Sequence, residues 1–258
     1  MKNAVFFDID GTLWDEKMYI PESTASAIRK LRENGNYAFL CSGRTRANIY
    51  AKELMEDIGF DGIIAGCGTY IEYHGDVVFE ELISEEAAER LLSFLQECKI
   101  PVVLEGHSCL YADMEDFLDD LYILNLKQQL GDLFLPLADY KYINKFTANL
   151  KNGIKEQMIE RLSGEYELLF HEGQYVEGIP KGFSKASGIR WICDYLNIAH
   201  KNTYAFGDSV NDLDMLAYVQ NGVAMGNAAD CAKEAADYVT AGLHEDGIFL
   251  GLKHFSLI

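Results

Sequence analysis

The stretch Ala4-Val5-Phe6-Phe7-Asp8-Ile9-Asp10-Gly11-Thr12 constrains this chain more than any other. Four apolar residues run straight into two acids separated by one residue. A short continuous apolar run bounded by glycine reads as a fully buried strand. In an extended chain residues i and i+2 point to the same side. Asp8 and Asp10 are therefore expected to aim at one point just past the strand end. In an open parallel sheet that end is where ligands bind, and Gly11 lets the backbone turn there and approach a ligand closely. Two carboxylates so close repel unless they share a proton or a cation sits between them. A hard divalent ion such as Mg²⁺ is the natural remedy. With the ion present, one carboxylate can attack phosphorus while the other handles a proton. Taken alone, D-x-D-G reads equally well as a strand ending in a solvated acidic turn, so the rest of the chain has to decide.

Composition narrows the classes. A chain of 258 residues, 49% hydrophobic, suits a protein with a sizeable core in one domain or two. Its 41 Asp and Glu against 22 Lys and Arg give a net charge of −19, which disfavours a nucleic-acid surface. A small anionic substrate stays compatible, because a bound metal and a few local cations set the field inside a site. The six cysteines form no C-x-x-C pair, so they read as buried reduced thiols rather than zinc or redox centres. The short apolar run at the N-terminus, broken by Asp8, is too short for a signal peptide, and no stretch is long and apolar enough to span a membrane. A cytoplasmic location, with no membrane and no nucleic-acid partner, is the expectation.

Along the chain, strand and helix signals alternate. Pro21-Glu22-Ser23 opens a helix that Asn34-Gly35 stops. Tyr37–Cys41 is a second buried strand ending in Ser42-Gly43-Arg44-Thr45, a hydroxyl and a glycine ahead of a helix expected over Ala47–Ile58. Gly62–Ala65 is a third strand. Two further strands flank His74-Gly75-Asp76 as a hairpin. The order βαβαβ implies a parallel sheet with crossover helices. From about Leu82 the pattern changes. A capped helix, two short strands, a long helix over Asp116–Leu130, the alternating strand Lys145–Leu150, a helix over Lys155–Leu162 and two more strands follow. This region is large enough to be a domain and interrupts the first sheet. Ser184 then caps a helix with Lys185 in its first turn, where a cation opposes the macrodipole and calls for an anionic partner. Thr203–Phe206 is another buried strand, ending in Gly207-Asp208-Ser209-Val210-Asn211-Asp212.

Each strand end alone is a weak signal. Together Asp8 and Asp10, Ser42, Lys185, and Asp208 with Asn211 and Asp212 supply the nucleophile, acid/base, metal ligands, hydroxyl and cation that phosphoryl transfer needs. No Walker loop, Ser–His–Asp order or zinc signature competes.

At these residues the chain resembles the haloacid dehalogenase-like (HAD) phosphatases, specifically the Cof-type group with an inserted α/β cap, subclass IIB. The resemblance runs the whole length. It is carried by Asp8-Ile9-Asp10-Gly11-Thr12, Ser42-Gly43-Arg44, Pro180-Lys181-Gly182 with Ser184-Lys185, and Gly207–Asp212, with support from Val223–Ala228, Ala236–Thr240 and Glu245-Asp246-Gly247. It implies an α/β fold: a doubly wound parallel-sheet, Rossmann-like core over residues 1–82 and 183–258, with an inserted α+β cap domain over 83–182. It implies a Mg²⁺-dependent phosphatase for small phosphate monoesters, a sugar phosphate or phosphorylated cofactor, working as a monomer or homodimer. In this resemblance Asp8 attacks phosphorus and becomes an aspartyl phosphate, and Asp10 protonates the leaving oxygen and then activates water. The metal is held by the Asp8 carboxylate, the Asp10 carbonyl and Asp208, with Asp212 behind them. Ser42, the Gly43 backbone, Lys185 and Asn211 hold the phosphoryl oxygens. The choice of Asp8 over Asp10 as nucleophile comes from the family alone.

One departure stands out: Gly66-Cys67-Gly68 occupies the place of the family's usual Asn-Gly-Ala after the third strand. That bears on substrate contacts rather than on phosphoryl chemistry. Glu105, His107, Tyr111 and Glu177 of the inserted region are unranked candidates for touching the leaving group. Two rivals remain: a sugar phosphomutase of the same fold, which must rebind a bisphosphate, and a non-catalytic phosphometabolite-binding protein, which has no need of both Asp8 and Asp10.

Overall fold

In the computed structural model, residues 2–49, 53–150, 154–171 and 174–258 are described. Strands and helices are numbered in chain order. The first group is β1 (Ala4–Phe7), α1 (Glu22–Glu33), β2 (Tyr37–Cys41), β3 (Gly62–Ala65), β4 (Tyr70–Tyr73) and β5 (Asp76–Glu80). Next come α2 (Glu85–Glu97), β6 (Val102–Gly106), β7 (Leu110–Tyr111), α3 (Leu121–Leu130), β8 (Phe134–Leu135), β9 (Ile143–Asn149), α4 (Lys155–Leu162), β10 (Tyr166–Phe170) and β11 (Tyr175–Pro180). The chain finishes with α5 (Lys185–Tyr195), β12 (Thr203–Gly207), α6 (Leu213–Tyr218), β13 (Asn221–Ala224), α7 (Asp230–Ala235), β14 (Tyr238–Val239) and α8 (Gly247–His254).

These elements form two compact units, Met1–Gly43 with Tyr50–Phe79 and Ser184–Ile258, and Arg44–Ile49 with Glu80–Phe183. The short segment Arg44–Ile49 groups with the second unit, although its place in the sequence is beside the strands of the first. All six cysteines are free thiols. Among the described residues no helix is long and apolar enough to cross a membrane.

The first unit holds an eight-stranded sheet in the order β14-β13-β12-β1-β2-β3-β4-β5. It is parallel from β14 to β3, and β4 returns antiparallel to β3. β1 lies between β2 and β12 with all four residues buried, as an unbroken apolar run demands of a central parallel strand. Phe6 stacks on Phe39 of β2 and Phe7 on Phe206 of β12, which fastens the three central strands on both faces. The chain runs from β1 toward β3 on one side and from β12 toward β14 on the other. The strand order therefore reverses at β1, and the ends of β1 and β12 form the crevice where such sheets bind ligands.

Two expected helices differ. In place of one helix over 47–58 there is a 3₁₀ turn at Arg46–Asn48, a non-helical Ile49 and a π-helical turn at Glu53–Ile58; residues 50–52 lie outside those described. The Arg44 guanidinium donates to the Asn48 carbonyl and the Arg46 guanidinium to that of Ile49. These acceptors are met by side chains, so nothing requires an α-helical continuation. The helix expected over 116–130 starts only at Leu121, after a separate 3₁₀ turn at Met114–Phe117. Asp120 takes an extended backbone, and its carboxylate accepts the Ile123 N–H, so it begins a helix rather than continuing one.

The second unit is built on a six-stranded sheet, β10-β11-β9-β6-β7-β8, antiparallel except between β7 and β8. Alternation along its strands separates two faces. Leu104, Phe146, Ala148 and Val176 join Leu91 and Leu95 of α2 and Met158 and Leu162 of α4 in one apolar core. The opposite face carries Glu105 on β6, Lys145 and Thr147 on β9, and Glu177 on β11. Glu105 pairs with Lys145 across the strands, and Thr147 with Glu177. The Lys145 ammonium reaches Glu177 at 2.6 Å and Glu105 at 3.7 Å, and His171 reaches Glu177 at 3.1 Å. Burial alone would raise the Glu177 carboxyl; Lys145 and His171 outweigh it and hold it down at about 2.

Helix α5 packs closely on β3, which yields a test. A Cβ on Gly188 would fall 2.5 Å from Ile64 Cγ2 and 3.0 Å from the Gly68 Cα. In an open helix Gly→Ala gains up to about 1 kcal/mol. Gly188→Ala should instead cost about 1–3 kcal/mol by overpacking, read as a lower urea midpoint; a gain would contradict this packing. The depressed Glu177 carboxyl adds stability that is complete above about pH 4.5 and lost as pH falls toward 2. The melting-temperature advantage of wild type over Glu177→Gln should shrink across that window in thermal scans, and an advantage independent of pH would contradict it.

Candidate active site

β1 ends at Phe7, and the Asp8 N–H continues the ladder by donating to the Phe206 carbonyl of β12 at 3.0 Å. This lodges Asp8 at the strand end with 3% exposure. Lys185 is the first residue of α5, which starts at a reciprocal cap between Ser184 and Ser187. The residue is 1% exposed, and its ammonium donates to Asp8 Oδ1 at 2.6 Å, Asp212 Oδ1 at 2.5 Å and Asn211 Oδ1 at 3.3 Å. The cation that opposes the helix dipole has its anionic partners inside the protein. A solvated surface lysine is excluded.

After β12 the chain turns tightly. Asp212 Oδ2 accepts the backbone N–H groups of Asp208 and Ser209 at 2.9 and 3.0 Å, leaving Oδ1 for Lys185. Ser209 Oγ donates to Asn211 Oδ1 at 2.8 Å, which orients that amide. Asp208 Oδ1 accepts the Thr12 hydroxyl at 2.8 Å. Asp8, Asp208, Asn211, Asp212 and Lys185 therefore form one contiguous cluster, although they come from opposite ends of the chain.

The charges do not balance. Carboxylate oxygens of Asp8, Asp208 and Asp212 lie within 4.8 Å of one another, with Lys185 as the one lysine paired to them among the described residues. Burial, and then the Asp212 charge, push the Asp8 carboxyl well above the ordinary range despite Lys185. Burial also lifts Asp208 to about 6, against the opposing bond from Thr12. Burial would lower the Lys185 ammonium; Asp212 and Asp8 outweigh it and hold the group well above its usual value. This oxygen-only, anion-rich set is the donor chemistry that a hard divalent cation requires. The backbone is shaped to match: Gly11 has φ +81°, and a Cβ there would fall 2.3 Å from Asp208 Oδ2. The residues present fit such an ion.

Asp10 lies just past the end of β1, and its charge adds to the upward push on the Asp8 and Asp208 carboxyls. Its Oδ1 accepts the indole N–H of Trp14 at 2.8 Å. Ser42 lies at the end of β2, beside β1, and Gly43 follows it, both buried. The Ser42 backbone is committed in both directions, its N–H to the Ile64 carbonyl at 2.9 Å and its carbonyl to the Cys67 N–H at 3.1 Å. Cys67 has φ +54°, a left-handed conformation for a residue with a Cβ, between two glycines that are also left-handed. The departure Gly66-Cys67-Gly68 is thus a tight backbone clasp on the Ser42 strand end.

Three contacts went unassigned from sequence: Thr12 on Asp208, Trp14 on Asp10, and Asn227, whose Nδ2 donates to the Gly11 carbonyl at 2.8 Å while its Oδ1 accepts the Leu243 N–H at 2.9 Å. Thr12 lies inside the first motif and Asn227 just past a strand end, so position was the available signal for both. In the second unit the four leaving-group candidates separate. Glu105 and Glu177 share the polar sheet face with Lys145. His107 is tied to Glu80 at 2.6 Å. Tyr111 belongs to the apolar core, with its hydroxyl donating to the Lys141 carbonyl at 3.0 Å.

Known proteins share both sequence and architecture with this chain. The family model described as haloacid dehalogenase-like hydrolase matches residues 5–252. YkrA of Bacillus subtilis, a provisionally named phosphatase, is 34% identical over 98% of each chain. YitU of the same organism, a 5-amino-6-(5-phospho-D-ribitylamino)uracil phosphatase, is 28% identical over 98% of this chain and 97% of its own. A hypothetical protein of Geobacillus kaustophilus superposes with TM-score 0.86 at 30% identity, covering both chains fully. The HAD subclass IIB sugar phosphatase BT4131 superposes with TM-score 0.84 at 28% identity, again over both whole chains. The strand-end motifs, the parallel core and the match over nearly the whole length lead to one conclusion: the chain belongs to the haloacid dehalogenase-like hydrolase family.

Proposed function

We propose that this phosphatase hydrolyses small phosphate monoesters with hydroxylated leaving groups, through a phosphoryl group carried on Asp8. The observation that carries the reading is the buried Asp8 carboxylate at the end of the central strand, held by Lys185 at 2.6 Å beside Asp208 and Asp212. Asp8 forms the bond to phosphorus as the bond to the leaving oxygen breaks, and Asp10 gives that oxygen its proton. Asp10, now a carboxylate, takes a proton from water as the water attacks phosphorus. Phosphate leaves, and Asp8 is restored. Lys185, Asn211, the Ser42 hydroxyl and the Gly43 N–H hold the phosphoryl oxygens. Asp212 keeps the Lys185 ammonium in place when Asp8 is engaged. Mg²⁺, held by Asp8, Asp208 and the Asp10 carbonyl, would supply neutralising charge between the acids and the transferring group.

Two points support a neutral, hydroxylated leaving group. YitU is named for a ribityl phosphate and BT4131 as a sugar phosphatase. On the polar face of the second unit, which we take as the specificity-bearing cap, Lys145 is paired with Glu177 and Glu105. Paired charges suit hydroxyls, which both donate and accept, better than the second phosphate that a mutase has to rebind.

Phosphate release from a panel of esters, with Mg²⁺ and with EDTA, tests the reading. Sugar and polyol phosphates should lead the panel, EDTA should abolish release, and Asp8→Asn should lower kcat by about a thousandfold or more. Release that persists in EDTA or in Asp8→Asn would overturn it. Asp208→Asn should raise the Mg²⁺ concentration needed for half of the ion's thermal stabilisation by about tenfold or more; an unchanged titration would remove Asp208 from the ion's ligands.

A further inference from the structure

Asp10 is exposed at the edge of the site, yet its carboxylate is tied to one of the largest buried side chains in the protein. Trp14 is 2% exposed, and its indole N–H donates to Asp10 Oδ1 at 2.8 Å. The backbone repeats the connection. Asp10 and Trp14 form an isolated parallel bridge, the Gly11 N–H donates to the Trp14 carbonyl at 2.9 Å, and the Trp14 N–H donates to the Ile9 carbonyl at 3.2 Å. The indole is therefore fixed by its own turn and by packing, and it offers a single polar atom in a single direction. An indole N–H donates only and accepts nothing. The oxygen it binds serves as an acceptor, which distinguishes the two oxygens of an otherwise symmetric carboxyl group.

We propose that Trp14 is the positioning residue for the acid/base. By engaging Oδ1 it stops rotation of the Asp10 carboxyl group and assigns Oδ2 as the oxygen that passes a proton to the leaving group and later takes one from water. The proton count is that of the proposed reaction: Oδ2–H breaks as the leaving oxygen gains its proton, and Oδ2–H re-forms as water loses one. The inference rests on Asp10 being the acid/base, and its failure is separable from failure of that reading.

The test compares kcat/KM, which reports steps up to leaving-group departure, for a sugar phosphate and for p-nitrophenyl phosphate. The sugar alkoxide needs a proton to leave, whereas the stable nitrophenolate does not. Trp14→Phe removes the donor but shortens the ring. Site-specific incorporation of benzothienylalanine at position 14 keeps the bicyclic shape and removes only the N–H. Both should lose about tenfold or more on the sugar phosphate and less than about threefold on the aryl ester, within the span that positioned proton transfer contributes. A loss of folded enzyme would lower both values equally, so the ratio isolates positioning. If Asp10→Asn shows the leaving-group-dependent loss while both Trp14 replacements keep the wild-type ratio, the inference falls and Asp10 keeps its role. If Asp10→Asn shows no such dependence, the acid/base reading falls and the inference falls with it.

Discussion

A buried lysine surrounded by more negative charge than it can neutralise organises the first unit. Stripping Lys185 of water costs several kcal/mol, which is offset by close contacts to Asp8 and Asp212. Those contacts bring β1, the start of α5 and the turn after β12 together at one point. The stacked Phe6–Phe39 and Phe7–Phe206 pairs, and the close seating of Gly188 on Ile64, hold the three elements there. On the proposed reading the unbalanced remainder is the source of function. Asp8 and Asp208 carry raised carboxyl pKa values because burial, joined by the Asp212 charge, outweighs the pull of Lys185. A divalent ion and a phosphoryl group would together complete an electrostatic arrangement that the protein leaves open.

Much of this was legible in the sequence because the contributing acids, Ser42 and Asn211 follow apolar runs. Continuous buried strands announce themselves by composition, and their ends are where a parallel sheet places ligands. Lys185 could be singled out because a cation in a helix's first turn contradicts the macrodipole; the partners that explain it lie far away in sequence and appear only in three dimensions. Trp14 is harder to read from sequence. It is buried like a core residue yet spends its N–H on Asp10, a pairing that depends on a four-residue turn whose hydrogen bonds periodicity does not encode. The interrupted helices have a related cause. The arginines that take the Asn48 and Ile49 carbonyls and the Asp120 cap are local side-chain bonds competing with helical ones, and helical spacing does not register that competition.

The second unit shows how one sheet carries two kinds of information. Its apolar face, built on Phe146 and Val176 against α2 and α4, supplies stability and tolerates few changes of volume. Its polar face is an ordered network of Glu105, Lys145, Thr147 and Glu177, in which each group fixes the next. On the proposed reading, the strand ends of the first unit set the chemistry, and this network selects the leaving group. The two can then diverge separately in related enzymes, since one depends on buried charge and the other on the pattern of hydroxyl-binding groups.

The central claim is that Asp8 carries the phosphoryl group. Quenching the enzyme with borohydride during turnover of its best ester reduces an acyl phosphate to an alcohol, and mass mapping of the N-terminal peptide then locates the change. The account predicts reduction at residue 8, dependent on substrate and Mg²⁺. Reduction at Asp10, or an unmodified peptide from an enzyme that is visibly turning over, would contradict it.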